Sequence, residues 1–194
     1  MVLNLEPATK TSGVERLSAA LTGAVVVVTG PPGAGKTTVC AQLAMRADRS
    51  VLVDGDAFFD ALKAGKIDPW LPASGRQNET VIDALGAAAS RYARGDYLVF
   101  VEGIVGPWFL DRFRSELTGP LHYIVIRPNR NAAFARAMAR PEPHLTEEVP
   151  VKKMYDEFEM LGVYERCVVD NSMHTVAETV DVIVRRLETG AFRV

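Results

Sequence analysis

VVVVTGPPGAGKTTVC, Val25 to Cys40, passes from an unbroken apolar run through a turn of glycines and prolines into Lys-Thr-Thr. A β-branched run that is apolar at every position predicts a strand buried on both faces. The turn after it matches Gly-x-x-x-x-Gly-Lys-Thr without a gap, at Gly30, Gly35, Lys36 and Thr37. KTTVCAQLAMRA then continues as a helix, so strand, glycine turn and helix stand in the order that the motif needs. Glycines let backbone N–H groups close around phosphate oxygens, and the helix N-terminus adds partial positive charge. Gly30, Pro31, Pro32, Gly33, Ala34, Gly35, Lys36, Thr37 and Thr38 are therefore the candidate cradle for a nucleoside triphosphate. In it Lys36 would reach the β- and γ-phosphates, and the Thr37 hydroxyl would ligate Mg²⁺. ATP and Mg²⁺ are the expected cofactors.

Outward from this stretch, short apolar runs alternate with amphipathic ones. Strands are expected at 24–29, 50–54, 97–102, 121–126 and 166–170, with helical stretches between them. Such alternation predicts a three-layer α/β domain with a parallel sheet covered on both faces. Residues 1–23 read as a tail plus one short helix capped at Ser12 and stopped at Gly23, and residues 24–194 as one domain. A length of 194 residues, 48% hydrophobic and 24% charged, suits a single globular domain. A net charge of −2 offers no general pull toward nucleic acid or anionic membrane. No run reaches the ~18 apolar residues of a membrane span, the N-terminus lacks a leader pattern, and two cysteines make no disulfide framework. A cytoplasmic location is expected.

Three stretches narrow the chemistry. In VDGDAFFDAL, Asp54 and Asp56 follow the second strand, where strand ends open into the ligand crevice of an α/β sheet. A carboxylate there can take the proton of an attacking hydroxyl, although Asp56 can equally cap the helix beginning AFFDAL. In FARAMARPEPHLTEEVP, Arg136 and Arg140 share a helix face that runs into a Pro-rich segment, read as a mobile lid over about 140–150. Guanidiniums so placed would neutralise phosphoryl charge, and the alternative is a solvated helix surface. In VVDNSMHTVAETV, Asn171 begins a polar loop that can edge the nucleotide base or serve as a plain turn capped by Ser172 or Thr175.

An acceptor region is expected over about 56–95. Arg76, Gln77 and Asn78 offer a guanidinium and two amides for a polyhydroxyl or carboxylate-bearing molecule, or else capping chemistry around Ser74 or Asn78. Glu102 ends an apolar strand at the same crevice, where a carboxylate needs a partner such as Mg²⁺ or substrate. Trp70 and Trp108 are candidate apolar walls or plain packing.

In their order, GPPGAGKTT, DGD, the pair Arg136 and Arg140 leading through His144 to DEFEML, and VVDNS resemble the small-molecule kinases of the nucleoside-monophosphate-kinase-like P-loop group. That group includes gluconate, shikimate and adenylylsulfate kinases and chloramphenicol phosphotransferase. The resemblance spans about 24–188, is greatest for gluconate kinase, and implies a five-stranded sheet ordered 2-3-1-4-5. It also implies Asp56 as base and Arg136 and Arg140 as nucleotide and lid arginines. Asp54 and Glu102 join Thr37 as candidate metal residues, and Asp56, Arg76, Gln77, Asn78 and Glu102 face the acceptor. The leading expectation is γ-phosphoryl transfer from ATP to a hydroxyl of a small molecule such as a sugar acid, metabolite or antibiotic. A nucleotide-binding switch, or a kinase of a nucleotide-sugar or polynucleotide, is the alternative.

Overall fold

The computed structural model describes residues 16–139 and 148–194 of the chain. Strand β1, Val25–Thr29, is buried throughout and leads through the glycine loop into α1, Lys36–Ala44. β2, Ser50–Asp54, runs straight into the short α2, Gly55–Asp60, and the long α3, Gly75–Ala93, feeds β3, Leu98–Glu102. Next come α4, Pro107–Ser115, β4, Leu121–Ile126, α5, Arg130–Met138, and α6, Glu148–Asp156. The two-residue β5, Val168–Val169, hands over to α7, Val176–Glu188. The five strands pair in parallel in the order β2-β3-β1-β4-β5, as the resemblance implies.

Parallel neighbours need crossover connections, and here helices supply them. α1 packs with α7 and α3 with α4, and all four contribute to one buried cluster with the sheet. In α7 the stripe Val180, Ile183, Val184 and Leu187 is buried, at the spacing of one helical face. Thr175 starts that helix with a capping box to Glu178, one of the two caps expected there.

Three elements differ from the sequence reading. The N-terminal helix expected over 12–23 is described from residue 16 on, and there only a 3₁₀ turn forms, Ala19–Leu21, capped by Ser18. The helix after Asp56 stops at Asp60, so the segment up to Pro72 is loop. The last strand keeps two of its five expected residues, because Gly162–Cys167 coil as a 3₁₀ helix. Glu165 holds that coil by accepting from Leu161 N at 3.0 Å while pairing with Arg127 at 2.8 Å. Residues 192–194 fill the edge that β5 leaves open. Tyr123 N donates to Phe192 O and Val194 N to Leu121 O, at 2.9 and 3.1 Å.

One residue at the crest of the sheet is gripped from two strands. Val105 N donates to Thr29 Oγ1 at 3.0 Å, and Tyr123 Oη donates to Val105 O at 2.8 Å. All three residues are buried, so the loop between β3 and α4 is anchored to β1 and β4 without help from water. Tyr123→Phe keeps the ring and orphans the Val105 carbonyl. It is expected to cost about 1–3 kcal/mol in urea unfolding, whereas exposed Tyr92→Phe should stay within about 0.5 kcal/mol.

Candidate active site

The phosphate loop is shaped by what presses on it. A Cβ at Gly33 would lie 2.0 Å from the Ala133 carbonyl of α5, so only glycine allows that helix so close. Gly35 takes the left-handed φ of 89° and caps α1 with no side chain of its own. Lys36 is 7% exposed, and its ammonium donates to the Gly30 and Pro31 carbonyls at 3.0 and 3.2 Å. The lysine therefore lies folded along the concave side of its own loop.

The adjoining strands bring the carboxylates. In the ladder Asp54 of β2 pairs with Glu102 of β3, and Glu102 with Val28 of β1, so both carboxylates reach the crest level with the start of the loop. Thr37 Oγ1 donates to Glu102 Oε1 at 3.1 Å. Glu102 is 5% exposed, and burial pushes its carboxyl above the ordinary 4.5. Lys36 and the Thr37 hydrogen bond pull it back down, while Asp56 and Asp54 push it further up. Lys36, Thr37, Asp54, Asp56 and Glu102 thus share one electrostatic neighbourhood.

The two aspartates have different tasks. Asp54 Oδ1 accepts from Asp56 N at 2.9 Å and Ala57 N at 3.4 Å, so Asp54 caps α2. The cap that the sequence allowed for Asp56 belongs to its neighbour. The Asp56 side chain is exposed at that helix start and makes no hydrogen bond among the described residues.

The acceptor-side residues are also divided. Gln77 clamps the loop after α2 twice, giving its amide to Ile67 O at 2.7 Å and accepting from Ile67 N at 2.8 Å. Asn78 Nδ2 donates to Pro69 O and Ser74 Oγ at 2.7 and 2.9 Å. Both amides brace the loop, while Arg76 is exposed and forms no side-chain ion pair among the described residues. Lys153 of α6 meets this loop at the Trp70 carbonyl, 3.3 Å away. Trp108 lies against Phe158 with ring centroids 5.8 Å apart and covers Gly106, where a Cβ would meet the indole at 2.2 Å.

Arg136 is exposed in the last turn of α5, and Arg140 and His144 lie outside the described residues. Two arginines that the sequence reading passed over tie the helices beside the loop together. Arg127 donates to Phe158 O at 2.7 Å and forks onto Glu165, while Arg130 reaches Asp156 and Glu159, each at 2.6 Å. Arg127 directly follows an apolar strand and was therefore visible as a strand-end cation. Its partner 38 residues on was not.

The family model described as an AAA domain (AAA_33) matches residues 25–161, from the first residue of β1 to beyond the end of α6. The chain belongs to this family. The fold of this AAA domain is shared with a sugar kinase from Janibacter sp. HTCC2649, at 17% identity and a TM-score of 0.68, over 84% of this chain and 94% of that one. It is shared also with a gluconokinase from Sinorhizobium meliloti 1021, at 18% identity and a TM-score of 0.66, over 88% and 94%. A tunicamycin resistance protein of Deinococcus radiodurans follows at 15% identity and a TM-score of 0.64, over 84% and 94%. No curated protein matches the chain. Among the described residues no helix is long and apolar enough to cross a membrane.

The raised Glu102 carboxyl has a consequence for stability. The unfolded chain gives up this proton at the ordinary 4.5 and the folded chain only at higher pH. Across that window the folded state binds more protons, so the contribution of Glu102 to stability falls as pH rises. Glu102→Gln keeps an acceptor for Thr37 and removes the charge. In thermal unfolding without nucleotide the variant should gain on the parent protein as pH increases from 4.5 toward neutrality, and the two should converge in acid. A pH-independent difference would mean that the carboxylate carries no such cost.

Proposed function

We propose that this AAA domain is an ATP-dependent phosphotransferase that moves the γ-phosphoryl group to a hydroxyl of a small molecule. The observation that carries the reading is the division of labour between the paired aspartates. Asp54 is spent on capping α2, which leaves the exposed Asp56 carboxylate at the crest beside the Lys36–Thr37–Glu102 group. A phosphate loop alone serves switches, motors and kinases alike. A second carboxylate presented to solvent just after β2, at the start of α2, is what a hydroxyl nucleophile needs.

In this reading the loop N–H groups and the start of α1 hold the triphosphate, and Lys36 leaves its own carbonyls for the β- and γ-phosphate oxygens. The donor set suits Mg²⁺. Among the described residues no three acidic, imidazole or thiol groups gather into a protein cage. One hydroxyl and one buried carboxylate stand next to the phosphate loop, which fits an ion held largely by phosphates and water. Thr37 would ligate it, with Glu102 and Asp54 close by; when bound it supplies charge neutralisation on the phosphates. Asp56 accepts the hydroxyl proton as the O–P bond forms, and the γ-phosphoryl bond to ADP breaks in line. Arg136, and Arg140 as the resemblance implies, would supply positive charge to the phosphoryl group.

The acceptor lies between Asp56 and the loop braced by Gln77 and Asn78, with Arg76 available for an anionic or hydroxylated group. The sugar kinase and gluconokinase of the same fold support a polyhydroxyl acceptor, and the tunicamycin resistance protein supports an antibiotic.

ADP release from Mg·ATP should rise with a compound from a panel of sugars, sugar acids, nucleosides, antibiotics and a 5′-hydroxyl oligonucleotide. Lys36→Ala should abolish the stimulated rate, and Asp56→Asn should lower it by about 10²–10⁴ while ATP still binds. Full stimulated turnover in Asp56→Asn would remove Asp56 as the base. Failure of the parent protein to bind Mg·ATP would remove the reading as a whole.

A further inference from the structure

Asn171 lies beyond the end of the family match, on the loop between β5 and α7. It is 5% exposed, and its Nδ2 donates to the Ala34 carbonyl at 3.0 Å. Its Oδ1 is buried and has no hydrogen-bond partner among the described residues. Burying an unpaired amide oxygen is unfavourable, so what the residue gains is the bond made by its nitrogen. That bond falls on the Ala34–Gly35 peptide of the loop, where Gly35 sits at the left-handed φ of 89° and carries no side chain. In a planar trans peptide the C=O and N–H point in opposite directions. Holding the Ala34 oxygen toward Asn171 therefore aims the Gly35 N–H the other way, and a phosphate cradle depends on such N–H directions.

The loop that carries Asn171 is itself anchored. Asn129 N donates to Ser172 Oγ at 2.7 Å, and Asn129 Oδ1 caps α5 by accepting from Ala132 N at 2.9 Å. α5 in turn presses on Gly33 through the Ala133 carbonyl. Ala34 and Gly33 are thus held from two elements that are joined to each other.

We propose that Asn171 is a positioning residue that sets the phosphate loop through the Ala34–Gly35 peptide, and that its part in nucleotide binding is exerted on the phosphates rather than on the base. The inference rests on the nucleotide-binding reading above and deepens it. The full-length chain and its Asn171→Ala and Asn171→Asp variants should be titrated calorimetrically with Mg·ATP and with Mg·tripolyphosphate, which has no base. Removing the clamp should weaken both ligands by the same factor, about tenfold for Asn171→Ala. Asn171→Asp, which sets carboxylate oxygens against the Ala34 carbonyl, should weaken them further. Loss of ATP affinity with unchanged tripolyphosphate affinity would assign Asn171 to the base and overturn the proposal. A lowered melting temperature with both affinities intact would also overturn it, by making the residue merely structural. If Asn171→Ala does not fold, the isosteric Asn171→Asp makes the same comparison. Should the parent protein bind neither ligand, the nucleotide reading fails rather than this refinement of it.

Discussion

The central strand has a hydrogen-bonded neighbour on each edge, and none of its side chains reaches solvent. Such a strand cannot slip, because a shift by one residue would swap the faces of every side chain in a core already filled. The parallel ladder passes this fixed register outward, Val28 to Glu102 and Glu102 to Asp54. The carboxylates accordingly emerge beside the glycine loop by ladder geometry, and the loop needs no contact of its own to place them. The same strand supplies Thr29, whose hydroxyl holds the Val105 N–H at the far side of the crest.

What the crest holds is an arrangement that favours ligand over rest. Glu102 is buried among two aspartates, with a lysine and a threonine hydroxyl as its compensation. Lys36 meanwhile satisfies carbonyls of the loop that encloses it. Partly compensated charge and borrowed hydrogen bonds are typical of sites where stability is given up for binding. The surrounding frame absorbs that cost through neutral, buried contacts such as the capped helices and the apolar stripe of α7.

Much of this was legible from the chain alone. Apolar β-branched runs announced the strands, and four of the five were found within a residue at each end. The glycine loop was legible because its glycines, lysine and threonine follow a buried strand at a fixed spacing. Less visible was which of two neighbouring aspartates would cap the helix, since both spacings satisfy a helix start and only the backbone direction after β2 decides it. Gln77 and Asn78 read as substrate groups or helix caps because their loop partners, Ile67 and Pro69, offer backbone atoms that composition cannot reveal. Cys167 and Arg166 read as strand for a similar reason. Their β-like sequence context is overridden by a carboxylate, Glu165, that coils the segment onto itself.

The shortness of β5 also bears on how the margin of the sheet is covered. Without residues 192–194 laid antiparallel along β4, the backbone groups of Leu121 to Tyr123 would form an open sheet margin, which is a template for another chain. Arg166 secures this cover by donating to the Ala191 and Arg193 carbonyls, each at 2.7 Å. Handling of the protein should respect that seam. An insertion or substitution within residues 191–194 that breaks these bonds would exchange a covered margin for an open one.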